Sequence, residues 1–467
     1  MKKLFGDRAF YRTTLGIVIP VIIQNGISNF IGLLDNIMVG RVGTEQMSGV
    51  SIANTLIFIF NLCIFGAVSG AGIFSAQFYG SGDNDGVRNT TLFKVISTTI
   101  LTAICIGIFI AFGEPLIAFY LKDDVAGSAT ATLAYGKEYL MIMLVGLLPF
   151  ALTQAYASTL RETGETVLPM TAGIISMFVN LTLNYVLIFG KLGAPVMGVA
   201  GAAIATVISR FVELGIVAIV AHARRKAHPF LVGLYTRAKL PLRLVSDIIK
   251  KGMPLMVNEV LWSCGIAMLT QCYSTRGLSV VAALNITNTV ANFFNVVFFS
   301  MGNAIAIIVG QQLGANKFDE AKGSAVKLTT LGVISSAVTA VAMSLLAPYF
   351  PLIYNTSEQV RDLATSLLLC CALMMPIRSF AHCCYFTLRS GGKTLITFLF
   401  DSAFMWLIVV PIAFLLSRYT ALTIIALYLI CESLEFIKCI VGSIMVKTGI
   451  WINNLVDNQK EVVPVEQ

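Results

Sequence analysis

Twelve apolar stretches, each long enough to cross a bilayer as a helix, decide what this 467-residue chain can fold into. They lie near 14–39, 48–79, 92–113, 131–158, 167–190, 197–222, 253–275, 281–312, 325–348, 360–387, 395–417 and 422–446. A helix in hydrocarbon needs about 20 mostly apolar residues, because its backbone polar groups must bond within the segment itself. None of the runs alternates for long as a barrel strand does, and each exceeds a strand's length. The expectation is an all-α polytopic membrane protein with twelve transmembrane helices. Charged residues make up only 12% of the chain, about half the ~25% of a soluble domain. That excludes a soluble enzyme, a disordered chain and a secreted disulfide scaffold. The ten cysteines include no spaced CxxC pair and sit mostly in apolar runs, as buried free thiols do. Gln24-Asn25 interrupts the first apolar run and no small-x-small site follows, so the N-terminus does not read as a signal peptide.

The net charge of +8 could suggest nucleic acid, but the basic residues flank apolar runs, where they orient a membrane protein. A cytoplasmic N-terminus assigns 22 Lys and Arg to inner segments and seven to outer loops, with Arg210, Arg378 and Lys438 inside spans. Both termini are thereby placed in the cytoplasm. The polar stretch 223–251 divides the chain into an N-terminal lobe, 1–222, and a C-terminal lobe, 252–447, followed by a cytoplasmic tail, 448–467.

The two halves repeat. At an offset of 234, residues 20–80 align with 254–314 without a gap, and eleven of 61 positions are identical. Pro20 meets Pro254, Asn54-Thr55 meets Asn288-Thr289, Phe60-Asn61 meets Phe294-Asn295, Gln77 meets Gln311 and Gly80 meets Gly314. At an offset of 228, Thr159-Leu160-Arg161 meets Thr387-Leu388-Arg389, Gly164 meets Gly392 and Thr166 meets Thr394. Six spans per half make the repeats parallel, as in two-lobed carriers that rock about a membrane-normal axis.

These residues carry a family resemblance over nearly the whole chain. Pro20 and Asp35 within LDNIMVGRVG, the turns QFYGSGDNDGVRN and QQLGANKFDEAKG, the turns TLRETGETVLP and TLRSGGKT, and the passage NLTLNYVLIFGKLGAPVMGVAGAAIAT occur in order. The sequence resembles the multidrug and toxic compound extrusion (MATE) family. The resemblance implies kinks at Pro20 and Pro254, and convergence of Asp35, Asn180, Asn184 and Thr206 in a cation-coupling site. Some members carry Asp where this chain has Asn184, which leaves Na+ or H+ open as the coupling ion.

The residues themselves agree in part. An ionisable group in hydrocarbon costs at least about 2.5–3.5 kcal/mol, so those that persist face a cavity or one another. Asp35 suits cation binding, or it is an interfacial carboxylate near Arg41. Asn180 and Asn184 share a helix face and offer hard oxygens suited to Na+, or they satisfy each other in a helix interface. Glu259, five residues past Pro254, is the other cation-coupling candidate, or a structural partner for Arg378 or another basic group. Gln24, Asn258, Trp262 and Asn288 are candidates for the substrate cavity, Trp262 by stacking on an aromatic cation or by packing alone. Arg210 with Glu213 and Glu435 with Lys438 are spaced to pair along one helix face. Glu432 has no obvious partner, and Asp401 begins the eleventh span. His382-Cys383-Cys384 lacks metal-ligand spacing. No metal is expected beyond Na+ at the coupling residues, and no cofactor.

The expected function is a secondary antiporter of a bacterial plasma membrane, not an enzyme, working as a monomer surrounded by lipid. It would export organic, cationic amphipathic compounds in exchange for Na+ or H+ by alternating access. The alternatives are a flippase for a lipid-linked precursor, which would want a more basic cavity, and more remotely a channel or receptor.

Overall fold

The computed structural model describes residues 4–121, 126–237, 239–354 and 356–457, and among these it contains helices and no strands. The first repeat supplies α1 (Arg8–Gly40), α2 (Thr44–Gly80), α3 (Asn84–Ala118), α4 (Ala126–Glu162), α5 (Val167–Phe189) and α6 (Gly198–Ala223). The second supplies α7 (Leu242–Ser274), α8 (Leu278–Gly314), α9 (Phe318–Leu346) and α10 (Glu358–Ser390). Next comes α11 (Thr394–Phe398), which runs through two π-helical turns, Leu399–Ala403 and Met405–Val409, into α12 (Val410–Tyr419). Eleven of the resulting helical stretches are long and apolar enough to cross a membrane. The twelfth expected span, 422–446, is instead two helices, α13 (Ile424–Ser433) and α14 (Glu435–Thr448). A tight turn at Leu434 separates them, its N–H bonding the Cys431 carbonyl three residues back at 3.4 Å.

The exterior is built for lipid. On α3, Ile96, Ile100, Ile104 and Ile108 face outward at helical spacing, whereas Thr90, Thr91, Lys94, Thr98 and Thr102 are buried. The buried hydroxyls of Thr98 and Thr102 return to carbonyls of the preceding turn, at 2.7 Å each. An apolar solvent rewards this inversion, because hydroxyls bonded to their own helix present no unmet polarity to hydrocarbon.

The chain divides into two compact units. One comprises Ile23–Ser75 and Asp83–Ile248, and the other Met1–Ile22, Ala76–Gly82 and Ile249–Gln467. They are called the N-terminal and C-terminal units below. A core around Phe60, Ile64, Leu140, Met143, Leu147 and Ala203 fills the N-terminal unit. The C-terminal unit holds one core around Leu284, Met343, Leu367 and Leu427, and a second around Ile305, Leu313, Leu328 and Trp451.

The sequence repeat is also a repeat of turn geometry. Gly164 and Gly392 both take left-handed backbone, φ 90° and 71°, and the following N–H of each reaches back to Leu160 and Leu388. Gly82 and Asn316, related by the offset of 234, are likewise left-handed at φ 75° and 59°. Asn tolerates this region better than most residues, which explains why the second turn manages without glycine. Within the C-terminal unit the ends of α2 and α8 meet through their motif residues. A Cβ on Gly80 would overlap the Gln311 carbonyl, and one on Gly314 would overlap the Gln77 carbonyl. Two backbones touch there, and only glycine leaves the room.

The segment after α14 straps this crossing. Trp451 is fully buried and donates from Nε1 to the Val446 carbonyl at 3.1 Å. The Gln77 amide donates to the carbonyls of Ser390 (3.0 Å) and Asn453 (3.2 Å), and its Oε1 accepts from the Leu455 N–H at 2.7 Å. Asn454 donates to the Gly314 carbonyl and to Asn316.

Candidate functional site

In the N-terminal unit, α5 and α6 bring together three of the expected coupling residues. Asn184 and Asn180 lie one turn apart, and Asn184 Nδ2 donates to Asn180 Oδ1 at 3.1 Å. Asn180 Nδ2 then donates to Thr206 Oγ1 at 3.2 Å, and Thr206 donates to the Ala202 carbonyl. Both asparagines are buried. The result is a directional chain from the Asn184 amide through Asn180 to the Thr206 hydroxyl. Asp35 belongs to α1, but its side chain lies outside the described residues. Gln24, also on α1, is half-buried and approaches the Pro169 carbonyl at 3.5 Å, beside Gly173, where a Cβ would stand 3.0 Å from its amide nitrogen.

The same unit buries an ion pair that hydropathy and spacing did not single out. Lys94 on α3 is fully buried, pairs with Glu162 on α4 and donates to Ser158 and Thr159 at 3.2 and 3.1 Å. Gly72 of α2 lies against the Glu162 carboxylate, where a Cβ would clash with Oε1. Arg210 donates to the Gly146 carbonyl at 3.2 Å and sits 5.0 Å over the Phe150 ring. Among the described residues no ion pair joins it to Glu213.

In the C-terminal unit, Asn258 is the hub. Its Nδ2 donates to Asp401 Oδ2 at 3.2 Å and to the Tyr385 hydroxyl at 3.4 Å. Its Oδ1 accepts from the Ser402 N–H at 3.2 Å, and the Ser402 hydroxyl lies 2.7 Å away. The side chain is buried within this network, with its amide fully used. Glu259, the next residue, is half-buried within reach of the fields of Arg389 and Asp401. Arg378, the alternative partner considered for it, pairs with Glu432 instead. Asp401 also binds Lys438 at 2.9 Å, and Lys438 reaches Glu435 at 3.3 Å as its spacing predicts. Trp262 is 38% exposed and Asn288 on α8 is exposed. Pro20 and Pro254 lie inside α1 and α7, which remain continuous helices through them.

Tyr385, Ser402 and the Asp401–Lys438 pair were not among the expected site residues. Lys438 was visible as a charge inside a span, which is the available signal. Ser402 and Tyr385 carry none, because hydroxyls are common in such helices.

The MatE family profile matches residues 20–186 and 254–415, once in each repeat. The chain is 25% identical to the probable multidrug resistance protein NorM of Thermotoga maritima, over 88% of this chain and 87% of that one. It is also 25% identical to the probable multidrug resistance protein YoeA of Bacillus subtilis, with 88% of both covered. A point mutant of the Vibrio cholerae MATE transporter VcmN has the same fold at a TM-score of 0.85 and 16% identity, covering 96% of this chain and 98% of that one. A MATE crystallised with MaL6 superimposes at 0.81 with 19% identity over 99% of both chains.

Proposed function

Because this chain belongs to the MatE family, whose members are ion-coupled transporters and not enzymes, we propose that it is a secondary antiporter of a bacterial plasma membrane. It exports organic, cationic amphipathic compounds in exchange for Na+ or H+ by alternating access, as a monomer with both termini cytoplasmic. The observation that carries this reading is the buried Asn184–Asn180–Thr206 chain in the N-terminal unit. Hard carbonyl and hydroxyl oxygens lined up in this way suit a small cation, provided a nearby carboxylate supplies the negative charge. Asp35 is assigned that role and Glu259 a second exchangeable charge. Binding of the ion and of the exported cation then compete, because each favours a different state of one equilibrium.

The lipid-linked flippase gains no support from the interior. Arg378 is held by Glu432, Lys438 by Asp401 and Glu435, and Arg210 by a carbonyl and a ring. The test is efflux of a fluorescent organic cation from proteoliposomes under an imposed Na+ gradient or pH gradient. One gradient alone should drive efflux, D35N should abolish the response, and E259Q should weaken it. Full gradient-driven efflux by D35N would remove Asp35 from the mechanism. Failure of both gradients to move any cation would remove the antiport reading.

A further inference from the structure

The ammonium of Lys438 is surrounded as a bound ligand would be. Asp401 Oδ1 lies 2.9 Å and Glu435 Oε1 3.3 Å from Nζ. The ring centroids of Phe400 and Phe404 stand 5.5 and 6.0 Å away. Two carboxylates and two aromatic rings recognise a primary ammonium, by charge-assisted hydrogen bonds on one side and ring quadrupoles on the other. Two of these groups, Phe400 and Asp401, come from the π-helical turn Leu399–Ala403, and Phe404 joins it to the next one, Met405–Val409. A π-turn rotates side chains out of the α-helical register, and such turns recur at functional sites. The second oxygen of Asp401 is fixed by Asn258, which Ser402 orients in turn, so the carboxylate is held in place from behind. The lysine and the aspartate are 11% and 19% exposed.

We propose that these residues form a cation site for primary ammonium groups, and that the chain fills it with its own side chain. Lys438 is a tethered ligand there. While it is seated, Asp401 and Glu435 are closed to a coupling ion and to the amine of a transported compound, so exchangeable cations must be taken elsewhere. The site is defined by binding and stands whether or not the antiport reading above does.

Lys438→Ala deletes Cγ, Cδ, Cε and Nζ, which together have the shape of n-propylammonium. The full-length protein would be purified as wild type, K438A and K438A/D401N. Thermal unfolding would be followed against n-propylammonium, tetramethylammonium and sodium chlorides. The K438A midpoint should rise with the logarithm of n-propylammonium concentration above Kd, by about 3 °C at a hundred-fold excess over Kd. Wild type, whose site is filled, and K438A/D401N, whose site has lost a charge, should not respond. An equal response in wild type, an equal response to either other salt, or no response would overturn the proposal.

Should K438A not fold, D401N retains the lysine and gives an independent measurement. Reductive methylation, read by mass spectrometry, should modify Lys438 at least about ten times faster in D401N than in wild type, as expected of a released charge-assisted bond. Equal rates would count against a seated ammonium. Neither readout involves transport, so failure here is distinguishable from failure of the antiport reading.

Discussion

The two units treat burial of polarity differently on one duplicated frame. The N-terminal unit joins Asn184, Asn180 and Thr206 through amide and hydroxyl bonds, and pairs Lys94 with Glu162. The C-terminal unit couples its amide directly to charge, Asn258 to Asp401, Lys438 and Glu435, and holds a second pair, Arg378 with Glu432. At the repeat offsets, the counterparts of Lys94 and Glu162 are Leu328 and Ser390. Leu328 is fully buried in an apolar core, and the Ser390 carbonyl accepts from Gln77. Turns and helix crossings were thus kept in both copies, while the polar interior diverged. Backbone geometry constrains every residue around it, whereas a buried charge needs only its own partners to change with it.

That contrast can be broken at several points. The largest effect is expected at Lys94. Lys94→Met removes the buried ammonium from the Glu162 carboxylate and should cost about 3 kcal/mol, read as thermal unfolding of the purified protein. The double variant K94L/E162S copies the other repeat and should recover at least half of that loss. No recovery would mean that the N-terminal unit needs the charge itself.

Next come the glycines of the crossing. Gly80→Ala and Gly314→Ala should each cost about 3 kcal/mol, because the new methyl meets backbone that cannot rotate aside. The two costs should agree closely, since the contacts are reciprocal. Gly107→Ala on α3 has open space and should be neutral or stabilising, by up to about 1 kcal/mol. Tolerance at Gly80 with loss at Gly314 would refute the shared frame.

Asparagine truncations sharpen the contrast between polar interiors. Asn258→Ala should cost about 2–3 kcal/mol, because it strips a charged carboxylate and a buried serine together, and Asn180→Ala about 1 kcal/mol. Matching costs would mean that the hub is no more demanding than the Asn184–Asn180–Thr206 chain.

The smallest effect is at His228, in the connection between α6 and α7. Burial lowers its pKa below the usual 6.5, opposed by Glu165 and reinforced by Arg224. A folded pKa below the unfolded one means that protonation favours unfolding. Stability should therefore fall slightly as the pH drops through 6.5 towards the folded pKa, and His228→Asn should flatten that slope. An identical slope in the variant would place the acid sensitivity elsewhere.

Much of the frame was legible in the chain itself. The spans, the offsets of 234 and 228 and the turn glycines follow from hydropathy and from residues whose backbone role is local. Glu435 with Lys438 was legible too, being three residues apart on one helix. Partners on different helices were not: Asp401 with Lys438, Arg378 with Glu432, and Lys94 with Glu162 are set by helix rotation and depth. Lys94 did not stand out because it lies ten residues into α3, where an interior and a surface position look alike. The break at Leu434 left no signal either, since leucine is a good helix former. The register shift of α11 depends on packing that the sequence of one helix does not contain.

The strap after α14 has a consequence for synthesis. Gln77 is made early, yet its amide is bonded by Asn453 and Leu455, 376 and 378 residues further along the chain. Membrane helices enter the bilayer in order, but this junction stays open until residues 453–455 have been made. The C-terminal unit therefore cannot close this junction before the segment after α14 has been made. A chain cut before Trp451 would keep its spans, the crossing with α8 and the bond from Gln77 to Ser390, but would lose the Asn453 and Leu455 contacts that fasten the end of α2.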